Sequence, residues 1–173
     1  MTATAAWYED NGTATGSPAK GTSRGAASQV DWKSVDDIAT ARASATIIAG
    51  QNSYPKYQFI QFGGSFTQIS AGKFAHTAGT LGTGLALYGK VTSTYATPAT
   101  SALSGATDIS GITAIGSGAT VQFSTTGPEN ASPSSTLTAA GYTQYMVTQL
   151  QTQATAEPGA IGNQTLTFQW NET

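Results

Sequence analysis

Gln164-Thr165-Leu166-Thr167-Phe168-Gln169-Trp170-Asn171-Glu172 sets Leu166, Phe168 and Trp170 on one side of an extended chain and Thr165, Thr167 and Gln169 on the other. A period of two is the mark of a half-buried β-strand, because successive strand side chains point to opposite faces. Upstream, residues 142–152 contain Tyr145-Met146-Val147-Thr148-Gln149-Leu150-Gln151, which begins mixed and ends alternating. Glu157-Pro158-Gly159 between the two runs is a strong turn signal, so an antiparallel hairpin is expected here.

Further toward the N-terminus the same vocabulary recurs. Tyr57-Gln58-Phe59-Ile60-Gln61-Phe62 follows the turn residues Tyr54-Pro55, is rich in aromatic strand formers, and is broken by Gly63-Gly64. Residues 44–48, 66–69, 73–76, 85–95 and 121–123 read as further strands. Residues 96–119 are low in complexity; Ile109, Ile112 and Ile115 recur at threes, but Gly111 and Gly116 argue for a loop with isolated anchors. Residues 1–43 are punctuated by Asn11, Gly12, Gly16, Ser17, Pro18, Gly21 and Gly25, and read either as a flexible tail or as an extended arm that becomes ordered on a partner surface, with Trp7, Tyr8 and Trp32 as its anchors. The fold class that follows is all-β, an antiparallel β-sandwich (Ig-like or jelly-roll) over residues 44–173 with an extended N-terminal arm over 1–43. Deleting the arm is expected to leave the sandwich folded.

Composition narrows the function classes. Of 173 residues only 9% are charged, where about 25% is typical. A surface of Thr, Ser, Ala and Gly can lie against a neighbour without desolvating many ions. The basic residues are Lys20, Arg24, Lys33, Arg42, Lys56, Lys73 and Lys90, with none beyond Lys90, so no cluster exists to displace counterions from nucleic acid. Cysteine is absent, which removes disulfides and thiolate chemistry. No apolar run approaches the roughly 20 residues of a membrane helix. The first residues have neither a basic start nor an apolar core, so a product left in its own cytoplasm is expected.

His76 is the single histidine, with no carboxylate near it in sequence and no Gly-x-Ser-x-Gly elbow elsewhere, so a polar strand residue is expected. Asp31, Asp36 and Asp37 do not match a calcium loop and are expected to be a solvated surface group. Gly84-Leu85-Ala86-Leu87-Tyr88-Gly89-Lys90 imitates a phosphate-binding loop, but Val91 stands where a hydroxyl must meet magnesium. No catalytic residue, cofactor or metal is expected.

Residues 57–70 (Tyr57-Gln58-Phe59-Ile60-Gln61-Phe62-Gly63-Gly64-Ser65-Phe66-Thr67-Gln68-Ile69-Ser70), Ala75-His76-Thr77-Ala78-Gly79-Thr80, Leu137-Thr138-Ala139-Ala140-Gly141-Tyr142-Thr143-Gln144-Tyr145 and Leu166-Thr167-Phe168-Gln169-Trp170-Asn171-Glu172 resemble stretches of uncharacterised structural proteins encoded by tailed phages. The resemblance spans residues 44–172. It implies a β-sandwich virion protein that decorates the capsid or encircles the neck as a collar, assembled in the host cytoplasm. Its partners would be other capsid, neck or tail subunits and further copies of itself, because edge strands must be paired or protected. The alternative is a tail-tip or fibre module that binds host carbohydrate through Trp7, Trp32 or Trp170. Trp170 is in phase with Leu166 and Phe168 and is expected to be core.

Overall fold

The computed structural model describes residues 2–157 and 162–173. Its strands are β1 (Ala3–Thr15), β2 (Lys20–Ala26), β3 (Lys56–Gly64), β4 (Ile69–Ala78), β5 (Leu85–Thr92), β6 (Thr107–Asp108), β7 (Ala119–Val121), β8 (Phe123–Ser124), β9 (Thr136–Leu137), β10 (Gly141–Thr143), β11 (Tyr145–Thr152) and β12 (Thr165–Glu172). They form two antiparallel sheets. The larger runs β2-β1-β3-β11-β5-β6, with β10 on β3 and β8 on β10; the smaller runs β12-β4-β7, with β9 on β4.

The sheets face each other across an apolar core. Ile60, Phe62 and Met146 from the large sheet meet Ile69, Phe74 and Phe168 from the small one, with Phe123 and Leu137 filling between them. Phe62 lies edge-on to Trp170 at 5.3 Å, and Trp170 stacks on Phe168 at 5.7 Å. The alternation of Leu166, Phe168 and Trp170 is therefore that of a strand with one face turned into a sandwich.

The central strands β3 and β11 are buried on both faces. This is why they read as runs of apolar and aromatic residues rather than a clean alternation. On the outer face of the large sheet Tyr57, Phe59, Tyr95 and Tyr145 form a second cluster. Its polar tips are satisfied: Tyr145 donates to Asp10 at 2.5 Å, and Arg24 grips the same carboxylate with bonds of 2.6 and 2.7 Å while lying 4.6 Å over the Phe59 ring. Burial and the bond to Asp10 push the Tyr145 hydroxyl well above the usual tyrosine range.

Close approach dictates one glycine in β4. A Cβ on Gly72 would stand 2.5 Å from the Val121 carbonyl oxygen, so β7 could not pair there. The neighbouring Ala71 takes φ 55° at the irregularity where β4 and β12 shift register, the position of an extra residue in a β-bulge.

Several expectations are corrected. β11 and β12 exist as strands but do not form a hairpin: β11 pairs with β3 and β5, and β12 pairs with β4 in the other sheet. Buried on both faces, β11 has both of its edges taken by β3 and β5, which leaves none for β12. Of the Glu157-Pro158-Gly159 turn, Pro158 and Gly159 lie outside the described residues. Residues 1–43 are not an arm, because β1 pairs with β3 from Ala3↔Gly64 to Asp10↔Tyr57 and folds back on β2. Residue 44 is consequently no boundary. The strand expected at 44–48 is absent; Arg42–Ser44 is a short 3-10 turn and Ile48 is 65% exposed. In the low-complexity stretch Ile109 packs on the core whereas Ile112 is 63% exposed, so the isolated-anchor reading fits Ile109 alone of these two.

Candidate functional site

The large sheet is covered unevenly on the face that looks into the sandwich. One half of that face packs on the small sheet. The other half lies under residues 27–55, which contain no strand. The inward residues of β1 and β3 change character at this divide. Ile60 and Phe62 lie on the apolar side, and Glu9, Asn11, Lys56 and Gln58 on the other, all four buried.

Buried polar groups demand partners. The Lys56 ammonium donates to Glu9 Oε1 and to the Asp37 carbonyl oxygen, both at 3.3 Å. The Gln58 amide nitrogen donates to Glu9 Oε2 at 3.1 Å and to the Gln29 carbonyl oxygen at 3.3 Å. With its nitrogen facing the two carboxylates, Asn11 donates to Glu9 at 2.9 Å and to Asp36 at 3.1 Å. Lys33, also buried, donates to Asp37 and to the Thr40 carbonyl oxygen at 2.7 Å. Trp32 pins the coil to the sheet, its indole N–H donating to Thr148 Oγ1 on β11 at 3.1 Å.

Environment divides the carboxyl groups. Burial pushes Glu9 above the usual carboxylate range, against the pull of Lys56 and Gln58. Burial raises Asp36 too, opposed by the Gly12 N–H that bonds it at 2.6 Å. Asp37 is held down at about 2, because the Thr40 hydroxyl and N–H both donate to it.

Between this coil and the end of the small sheet runs a groove of about 1400 Å³. Its floor comes from four adjacent strands of the large sheet: Trp7 on β1, Gln58 on β3, Leu150 on β11 and Leu85 on β5. One wall is the coil with Gln29 and Trp32; the other includes Gln164 and Leu166 at the start of β12. The lining is mostly apolar and amide or hydroxyl in character, with Arg42 and Glu157 as its ionic members. Arg42 pairs with Asp31 at 3.1 Å.

Of the three aromatic residues expected to bind a partner, Trp7 and Trp32 meet in this groove. Tyr8 does not: it lies on the opposite face, stacked on Phe59 at 5.6 Å. Glu9, Lys56 and Gln58, on which the groove's floor and wall depend, were not singled out by sequence. Their one local signal is the alternation of Lys56 and Gln58 with Tyr57 and Phe59, polar residues at every second place of a strongly aromatic strand.

The remaining candidates are occupied otherwise. His76 is buried on β4, with Nδ1 bonded to the Ile109 carbonyl oxygen at 3.1 Å and Nε2 to Gln164 Oε1 at 3.0 Å. Asp31, Asp36 and Asp37 are each drawn to different donors, and Asp36 is half-buried rather than fully solvated. Among the described residues no group of three or more His, Cys, Asp or Glu side chains is placed to hold a metal ion. Gly84–Lys90 leads into and forms part of β5, paired to β11 through Lys90↔Val147, and opens no helix. No helix among the described residues is long and apolar enough to cross a membrane. Comparison of the chain with protein-family models, with curated proteins and with solved structures finds no match.

Proposed function

We propose that the protein is a non-enzymatic structural subunit of a tailed-phage particle, an accessory that decorates the capsid or encircles the neck through protein–protein contacts. The observation that carries this reading is the fate of its few charges. Glu9, Asp10, Lys33 and Lys56 are buried, and Arg24 is tied to Asp10. Lys73 and Lys90 turn onto Thr120 and the Ser104 carbonyl oxygen. A composition already poor in ions thus presents still fewer to its surroundings. Such a surface loses little solvation energy when covered by a neighbour, which suits a subunit that lives packed in an assembly.

The resemblance to phage structural proteins supports the same reading. The stretches that carry it build β3, β10 and β12, contribute both ends of β4, and reach the first residue of β11. Among the described residues no strand pairs with the outer edges of β2 and β12, which gives each copy places to meet another copy or a different virion subunit. The internal engagement of His76 and the dispersed carboxylates favour a structural role over catalysis. The scattered cations favour protein partners over nucleic acid.

Quantitative mass spectrometry of purified particles tests the proposal. Peptides of this chain should be present at a fixed ratio to the major capsid protein and should persist through gradient purification. Their absence from intact, infectious particles would remove the virion assignment.

A further inference from the structure

We propose that the groove floored by Trp7, Gln58, Leu150 and Leu85 is a binding site for a neutral oligosaccharide. The proposal goes beyond the structural role and does not depend on which part of the particle the protein occupies.

Gln58 is the first observation. It is 4% exposed, and its orientation is fixed because both acceptors, Glu9 Oε2 and the Gln29 carbonyl, face its nitrogen. Among the described residues its Oε1 accepts no hydrogen bond, although every fully buried side-chain oxygen and nitrogen has a partner. That oxygen therefore opens into the groove, a preset acceptor for a ligand hydroxyl or N–H. A held acceptor of this kind gives specificity, because it is left unpaired when a ligand lacking the donor binds.

The second observation is the rest of the lining. Trp7 and Trp32 offer broad apolar ring surface, and the hydrogen bond to Thr148 holds the Trp32 ring in place before any ligand arrives. The C–H faces of a sugar ring fit such surfaces while its hydroxyls meet amides. The only cation of the lining is already paired with Asp31, so nothing selects for an anionic ligand. A volume of about 1400 Å³ is larger than the roughly 300–1,000 Å³ of a single small-molecule pocket and gives room for several sugar units.

Direction decides between a glycan and a peptide. Extended peptides bind by adding a strand to a sheet edge, where a row of backbone N–H and C=O groups is free. The floor of this groove crosses four hydrogen-bonded strands and offers side chains only. The strand edge left unpaired on its wall among the described residues, that of β12, lines the groove over Thr165 and Leu166 alone, too short a ladder for an extended peptide to complete.

The test uses the purified full chain on an array of neutral oligosaccharides, with the strongest hit titrated by tryptophan fluorescence. Gln58→Met removes the acceptor. Because it also removes a donor to Glu9, Leu85→Trp is made beside it, filling the floor from a half-buried position without touching the polar cluster. Binding by the wild-type chain is expected, weakened about tenfold or more by each variant, with the Leu85→Trp melting temperature unchanged. Three results would each overturn the proposal: no neutral glycan bound by the wild type, a hit bound equally well by a folded Leu85→Trp, or preference for extended peptides from a display library.

Discussion

The two halves of the large sheet's inner face carry the same strands under different covers. Where β3 presents Ile60 and Phe62, its cover is the small sheet; where it presents Lys56 and Gln58, its cover is coil. The difference has a physical reason. In a sheet the backbone N–H and C=O groups are spent on the ladder, so what it offers a facing layer is side chains, and these pack best when apolar. Coil has carbonyls to spare. Here those of Gln29, Asp37 and Thr40 accept hydrogen bonds from Gln58, Lys56 and Lys33. The buried ionic half therefore requires irregular chain above it, and the groove is the seam where the two kinds of cover meet.

The largest effect should come from removing the strand that spans both halves. Deleting residues 1–43 takes away β1, Trp32 and much of the coil together, stripping Lys56 of Glu9 and of its cover and leaving one edge of β3 unpaired. The truncated chain is expected to show no cooperative unfolding transition; a sharp transition by circular dichroism would restore the picture of a dispensable arm.

Single substitutions separate the halves. Phe62→Ala should cost about 3–5 kcal/mol through the cavity it leaves, with no dependence on pH. Lys56→Met should cost about as much at neutral pH, because it strands a buried carboxylate, and less in acid, where Glu9 takes up a proton. Denaturant titrations at several pH values distinguish them, and parallel pH profiles would erase the proposed division.

Glu9 itself sets a smaller signature. Its raised pKa in the folded chain means that it binds its proton more tightly there than when unfolded. Its contribution to stability is full below the ordinary carboxylate range and is lost as pH rises through the folded value. Asp36 acts in the same direction. In Glu9→Gln this decline should shrink to the part owed to Asp36; an unchanged slope would show that burial does not govern Glu9. Smallest is Trp32→Phe, which gives up the bond to Thr148 for about 1 kcal/mol and should loosen the coil selectively, seen as faster amide exchange over residues 28–40 than in the sheets.

How far the sequence revealed this arrangement follows the same divide. The apolar half was legible: Leu166, Phe168 and Trp170 repeat at the period of a strand and face the core, Phe168 buried and the other two partly so. The polar half was not. β1 turns Glu9 and Asn11 inward, so the alternation that marks a half-buried strand is missing from the place where a strand lies. Among the glycines and threonines around them, these residues looked like an exposed arm. The partners of Glu9, Lys56 and Gln58, are more than forty positions away, and no local pattern records such a pairing. Strand partnership failed for a related reason. The turn signal after Glu157 suggested that neighbours in sequence would pair, whereas β11 satisfies both of its edges with β3 and β5. Of the groove, sequence offered Trp7 and Trp32 as exposed aromatics but gave no means of joining them, and it grouped Tyr8 with them although successive strand residues face opposite ways.

A reconstruction of the assembled phage particle tests the structural-subunit proposal most directly. It should show this two-sheet sandwich in symmetry-related copies on the capsid surface or neck, with residues 3–26 paired inside the large sheet and weakly charged surfaces covered by neighbouring subunits. A complete particle with no density for the sandwich, and the chain recovered only as a free protein from infected cells, would contradict it.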